Sequence, residues 1–371
     1  MSQTTIRRES FAASVCPAPL REPRFKQVLV MGGLTGRIGR GIVSKLAGHI
    51  KVFAHGRSAA SVAEANRSGV QLYVGNERVV LGGPQSRNEV TFVSSGAAVP
   101  HLHETLVISA TTADNAVSSL HGLADGTHIV TLENGWDTPQ RVKAHNASWN
   151  VSAGVAWFSC KADPLNPGYD RVTPGGYIAV EPSSTAVGSQ LRELWGDDSL
   201  IRLVYQSAPE KRKTIANSMF NGLGIIFNKK LGEVLELPGY KALMRALARE
   251  GALAAHLSGM DVGTEEELFA MAYAIGSKNA ADHTSAYSMM ARGLATEIAT
   301  MNGAIAREAQ RIGITLPINV LIAEAIAQIT VWRSQLASLD AVYALYGQEL
   351  QKWTQELLHL GAAFSDDYPQ Q

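Results

Sequence analysis

Val28-Leu29-Val30-Met31-Gly32-Gly33-Leu34-Thr35-Gly36-Arg37-Ile38-Gly39 is the stretch that decides how the first half of the chain is read. The apolar run from Val28 to Met31 suits a short strand buried on both faces. Glycines follow at once, where the chain must turn tightly. Ile38, Ile42 and Leu46 then recur every four residues, which marks a helix with one buried face. A second short run, Lys51 to Ala54, completes a strand–turn–helix–strand unit. Such a turn sets backbone N–H groups at a helix N-terminus around a pyrophosphate, and glycines allow the close approach. With Gly36 as the third glycine of the motif, Gly33 is the second and Met31 takes the first place. Counted forward, Gly33, Gly36 and Gly39 form a stretched version. The residues expected to hold a dinucleotide are Gly32, Gly33, Leu34, Thr35 and Gly36.

The end of the second strand separates the two common dinucleotides. NAD sites usually carry an acid there for the ribose 2′-hydroxyl. This chain has Ala54-His55-Gly56-Arg57-Ser58, with no acid. Arg57 could pair with a 2′-phosphate and Ser58 could add a hydrogen bond, which points to NADP(H). The plainer reading of Arg57 is an exposed loop arginine.

Outward from this unit, strands are expected at 71–73, 79–81, 91–93, 105–109 and 128–132, with helical stretches between the last of them. Two or three Gly- and Pro-rich strands between Gly154 and Ala179 suggest an antiparallel edge. The composition changes near Ala208-Pro209, after which no strand is convincing. Leu243, Leu247, Leu253 and Leu257 suggest one amphipathic helix or a close pair. Trp332, Leu336, Leu339 and Tyr343 suggest another, a stripe that could pack within the chain or in a homodimer. The expected architecture is α/β, a Rossmann-type domain over 25–208, followed by an all-helical domain over 209–360. Flexible tails are expected at 1–24 and 361–371. The N-terminal tail leaves a transit peptide open.

The 371 residues include 33 Lys plus Arg against 33 Asp plus Glu, a balance that offers no electrostatic footprint for nucleic acid or an anionic membrane. No apolar run reaches the length of a membrane span. Two cysteines, Cys16 and Cys160, without close or metal-type spacing suggest a reducing, cytoplasmic setting. His101-Leu102-His103-Glu104 resembles a metal cluster only superficially, because no third ligand is evident.

In the second half, Lys213, Asn217 and Asn221 are spaced four apart, as on one helix face. Ser285 follows, then Thr296-Glu297-Ile298, Asn302-Gly303, Gly313-Ile314 and Pro317-x-Asn319. Taken singly, Lys211-Arg212-Lys213 would be a solvated helix start, the two asparagines a polar contact between domains, and Glu297 a surface acid. Together they resemble the ketopantoate reductase (2-dehydropantoate 2-reductase) family, over roughly Lys26 to Ala327.

The resemblance implies NADPH-dependent reduction of a 2-oxo acid to a 2-hydroxy acid, in the family's case within pantothenate biosynthesis. It implies that Lys213 hydrogen-bonds the keto oxygen and supplies the proton. It further implies that Asn217 and Asn221 orient substrate, that Ser285 binds its carboxylate or a nearby oxygen, and that Glu297 holds a distal hydroxyl or tunes Lys213. Asn134, in Asn134-Gly135, would stand at the nicotinamide end and touch the nicotinamide ribose or the substrate. Ser285 and Glu297 would be about 18 Å apart on an unbroken helix, so a break near Gly293 is expected.

The likeness has gaps. The family's loop lysine is missing from Ser109-Ala110-Thr111-Thr112-Ala113, and Met289, Leu294 and Leu231 replace polar positions. These losses fit a larger or more apolar 2-oxo acid. Asp282, read as one helical turn before Ser285, could replace a carboxylate; His283 beside it would point elsewhere. Two other functions remain open: imine or opine chemistry on the same scaffold, and a non-catalytic NADP(H)-binding sensor.

Overall fold

The computed structural model describes residues 25–366 except 101, 164, 167–168, 182–185 and 197–199. The expected tail at 1–24 lies outside the described residues. At the other end the last helix continues through Asp366, past the expected boundary at 360.

The first domain opens with β1 (Gln27–Met31), all of whose residues are buried. Val28 and Val30 pack into one apolar core, Leu29 and Met31 into another, as befits a central strand covered on both faces. The chain continues through α1 (Arg37–Leu46), β2 (Lys51–His55), α2 (Ala59–Ser68), β3 (Val70–Val74), β4 (Glu77–Leu81) and β5 (Val90–Val93). Then come β6 (Thr105–Ser109), α3 (Ala113–Ser119), β7 (His128–Thr131), α4 (Thr138–His145) and β8 (Asn150–Trp157). The domain ends with β9 (Cys160–Ala162), β10 (Asp170–Val172), β11 (Gly176–Val180), α5 (Ala186–Trp195) and β12 (Ile201–Tyr205).

The main sheet runs β5-β2-β1-β6-β7-β8-β11-β12. Strands β5 to β8 are parallel; β11 joins β8 antiparallel and pairs parallel with β12. From β1 the chain goes first to β2 on one side and later to β6 on the other. This reversal opens a crevice at the strand C-termini. The antiparallel edge expected between 154 and 179 is real for β8 and β11. However, β9 and β10 leave it and form a second sheet, β4-β3-β10-β9. Short strands with polar neighbours do not announce their partner in sequence.

The second domain is helical: α6 (Pro209–Ser218), α7 (Asn221–Ile226), α8 (Leu231–Leu235), α9 (Tyr240–Leu257) and α10 (Glu265–Lys278). It continues with α11 (Ser285–Ala291), a 3-10 turn (Glu297–Thr300), α12 (Asn302–Arg311), α13 (Pro317–Gln335) and α14 (Leu339–Asp366). The leucine stripe on α9 splits: Leu243 and Leu247 are fully buried, whereas Leu253 and Leu257 are 44% and 56% exposed. The stripe from Trp332 to Tyr343 is not one helix, because α13 stops at Gln335 and α14 starts at Leu339. The expected break is present: α11 ends at Ala291 and Gly293 takes φ +72°, a left-handed conformation that suits glycine. None of the described helices is long and apolar enough to cross a membrane.

A buried polar network fixes the second domain. Glu250 on α9 accepts the backbone N–H groups of Ile318 and Asn319 and the Asn319 amide, at 3.0, 3.0 and 2.7 Å. It therefore caps α13, whose own N-cap provides no side-chain bond. Asn302 donates to the carbonyl of Ser218 and to Asn319 Oδ1, which ties α12 to α6 and α13. Asn302 and Asn319, prominent in the sequence pattern, act here as braces.

Candidate active site

Two groups of residues meet at the crevice. The first is a cleft of about 520 Å³ at the C-terminal ends of β1, β2, β5 and β6. Gly32, Thr35, Gly36 and Arg37 form its floor at the start of α1. His55 and Arg57 line it from β2, Ser94 and Ser95 from β5, and Thr111 and Thr112 from β6. Gly36 is the N-cap of α1 and provides no side-chain cap bond, so the first N–H groups of the helix remain available to an anion. Gly32 sits at φ +77°, and a Cβ there would stand 2.6 Å from the Ala110 carbonyl oxygen. Only glycine allows the turn and the β6 loop to lie so close. This donor set fits a dinucleotide.

Not every residue expected at the cofactor is placed there. Leu34 is buried, packed beneath Gly56. A Cβ on Gly33 would meet Val30, Val43 and Ala54, so this glycine serves strand–helix packing. The Ser58 hydroxyl caps α2 by accepting the Ser61 N–H at 3.3 Å. Arg57 is exposed and lines the cleft. His55 is buried beside it, and burial, aided by the Arg57 charge, holds its pKa below the usual imidazole value.

The second group joins the domains. Lys213, on α6, donates to the carbonyl of Ala156 on β8, and its Nζ lies 5.3 Å from the centre of the Trp157 ring. Burial lowers its pKa from 10.5 to about 8, and the negative charge of Glu297 pulls it partly back. Asn134, just after β7, donates to Glu297 Oε2 at 3.1 Å. The backbone places these two: Trp136 N–H donates to the Thr300 carbonyl at 3.0 Å, which seats the 3-10 turn against the end of β7. Asn134 Oδ1 is buried and accepts no bond among the described residues. A lysine near neutrality, a carboxylate and an amide therefore converge from both domains. None of them lines the 520 Å³ cleft itself.

The other expected substrate residues divide. Asn217 is buried one turn after Lys213 on α6. Asn221 does not share that helix: α6 ends at Ser218 and Asn221 begins α7. Its amide faces the Met301 sulfur at 3.5 Å, inside the helical domain. The spacing of four is real, but the helix breaks between the two asparagines. Ser285 is exposed at the start of α11, where Thr284 caps the helix, and makes no bond to Lys213, Glu297 or Asn134 among the described residues. Asp282 belongs to the turn before α11, not to a helix, and pairs with Lys161 across the domains at 2.6 Å. His283 stacks on Tyr287. Lys211 is not a solvated helix-start residue: it is 2% exposed, donates to the Trp136 carbonyl and pairs with Glu210. His101 lies outside the described residues; Glu104 pairs with Lys26. Among the described residues no His, Cys, Asp and Glu group is placed to hold a metal.

Two neighbours were not singled out by the sequence. Arg37 reaches the cleft while paired with Asp170 at 3.0 Å. Glu133, beside Asn134, is buried and accepts from the Ser109 hydroxyl and, at 3.4 Å, the Thr111 N–H. Burial pushes its pKa up to about 7 against those bonds. An acid two residues beyond a buried strand was the available signal for Glu133; nothing local marked Arg37.

Residues 208–330 match the family model described as ketopantoate reductase PanE/ApbA C terminal. Solved structures share the two-domain fold. A D-mandelate dehydrogenase with NADH and anilino(oxo)acetate is 17% identical, with a TM-score of 0.70, covering 83% of this chain and 99% of its own. A PanE/ApbA family ketopantoate reductase from Ralstonia eutropha JMP134 is 20% identical, at 0.68, covering 83% and 99%. A probable 2-dehydropantoate 2-reductase from Bacillus subtilis is 19% identical, at 0.64, covering 81% and 99%. No protein of curated function matches the chain in sequence.

Proposed function

From the match of residues 208–330 to the ketopantoate reductase PanE/ApbA C-terminal family model, we propose that the chain reduces a 2-oxo acid to a 2-hydroxy acid with NADPH. The observation that carries the reading is the convergence of Lys213, Glu297 and Asn134 where the two domains meet, beside a cleft suited to a dinucleotide. The bound cofactor supplies the hydride. The residues do the rest. The α1 N-terminus, Gly32, Gly36, Thr35 and Arg37 hold the pyrophosphate. Arg57, with no acid at the end of β2, prefers a 2′-phosphate and hence NADPH. Lys213 hydrogen-bonds the keto oxygen and gives it a proton as negative charge develops there. Glu297 favours the charged lysine, and Asn134 keeps Glu297 in place.

The substrate is a 2-oxo acid larger or more apolar than ketopantoate. The Trp157 ring beside Lys213 supports this, as does the likeness to a mandelate dehydrogenase; of the apolar replacements, Leu231 lies in the helical core and Leu294 is exposed. A cytoplasmic homodimer fits the reading. Lys161 engages Asp282, one of the two acids, with Glu297, that imine chemistry could use, and the preserved lysine–glutamate pair speaks against a sensor without turnover.

The test follows NADPH oxidation with ketopantoate, phenylglyoxylate and bulkier aliphatic 2-oxo acids, alongside NADH and Lys213→Ala. Turnover of a panel member that the variant loses is expected. No turnover with any member, while NADPH still binds, sinks the reading.

A further inference from the structure

Trp157 ends β8 where that strand meets the helical domain, and its ring packs against the apolar core of that domain. Tyr177 stacks on it, with centroids 6.0 Å apart and planes at 25°. The Lys213 ammonium lies 5.3 Å from the ring centre and is bonded to the carbonyl of the preceding residue, Ala156. The indole is therefore fixed on two sides. Yet its Nε1–H is buried and has no acceptor among the described residues.

Leaving a buried donor without a partner is unfavourable, and buried indole N–H groups usually find one. An acceptor brought by the substrate would meet that need. Most neighbouring polar groups are engaged or turned away, and Asn217, buried one turn after Lys213, is the remaining side-chain donor beside the indole. The Asn134 amide is spent on Glu297 and the Asn221 amide faces Met301. Ser285 stands exposed on α11, and the first domain has no lysine between Lys51 and Lys143.

Resting on the reductase reading, we propose that the Trp157 indole N–H binds a carboxylate oxygen of the 2-oxo acid while its ring seats the Lys213 ammonium. The keto oxygen and the nearer carboxylate oxygen of such an acid lie side by side. With the keto oxygen about 2.8 Å from Lys213 Nζ, the ring whose centre lies 5.3 Å from that ammonium is the adjoining surface. An indole supplies direction without charge, and its apolar surface accommodates an apolar or aryl substituent. Trp157 is thus a specificity-determining residue that distinguishes the free acid from its neutral ester.

The test compares wild type, Trp157→Phe and Trp157→Ala on the best 2-oxo acid of the panel and on its methyl ester, with NADPH affinity measured for each. Trp157→Phe keeps a stacked ring and loses only the donor. The expected result is a ten- to hundredfold higher KM for the acid, with kcat little altered, a distinctly smaller rise for the ester, whose carbonyl is the weaker acceptor, and NADPH binding unchanged. Trp157→Ala should lose in addition the seating of Lys213, with a lower kcat on both substrates. A wild-type KM for the acid in Trp157→Phe, or equal losses on acid and ester, overturns the proposal while leaving the reductase reading intact. If wild type turns over no 2-oxo acid, the reductase reading fails and this inference falls with it.

Discussion

At the scale of the residue, the account turns on the charge of Lys213. Its pKa of about 8 lies below that of a free lysine because burial disfavours the ammonium more than Glu297 favours it. Reduction needs the protonated form, so kcat in that direction should fall as pH rises through about 8. Oxidation of the hydroxy acid needs the free amine and should rise over the same interval. A pH profile measured in both directions checks the sign; parallel profiles would rule out Lys213 as the group that titrates. Arg57 makes a separate claim. Substitution by Ala should weaken NADPH binding by about ten- to hundredfold, the value of a charge-assisted bond, and leave NADH nearly unchanged. Equal losses for both would make Arg57 an ordinary loop arginine. The motif residues around Lys213 were legible in the sequence, but their duties were not. Asn221 has the expected spacing and faces Met301, because a helix break is invisible to a count of four. Trp157 left no signal, since it matters only through the Lys213 side chain brought to it from another domain.

At the scale of the element, β1 and α1 were readable because a parallel strand buried on both faces and a one-faced helix impose different periods on sequence. The same rule failed on α9, where Leu253 and Leu257 continue the stripe into solvent. It failed again at the junction of α13 and α14, where the stripe crosses a gap between two helices. Pattern reports which residues are apolar, whereas the partner element decides which of them are covered. The turn between β1 and α1 gives a sharp test. Gly32→Ala would place a methyl 2.6 Å from the Ala110 carbonyl at a left-handed φ. It should lower NADPH affinity at least tenfold, read by cofactor fluorescence; unchanged affinity would mean that the turn is not tight against the β6 loop. The cap on α13 gives another. Glu250→Ala leaves the N–H groups of Ile318 and Asn319 and the Asn319 amide without their acceptor. A stability loss of about 3 kcal/mol or more is expected from chemical denaturation, and a loss under about 1 kcal/mol would show that the network is dispensable.

At the scale of the whole molecule, the two domains were foreseeable from the change in composition near residue 208, but their means of attachment was not. The junction holds both exposed and buried contacts. Lys161 and Asp282 pair at the surface, 57% and 48% exposed, and contribute little. The buried contacts, Lys211 on the Trp136 carbonyl, Lys213 on Ala156 and Asn134 on Glu297, all converge where chemistry is expected. On the proposed reading, these buried bonds align the lysine with the cofactor cleft. That alignment is the central claim, and transfer of label tests it most directly. With NADPH deuterated at the transferable C4 position and the preferred 2-oxo acid, the account predicts deuterium at C2 of the hydroxy acid formed by the wild-type protein and none formed by Lys213→Ala. Cofactor oxidation without deuterium in the product, or equal labelling by the variant, would contradict it.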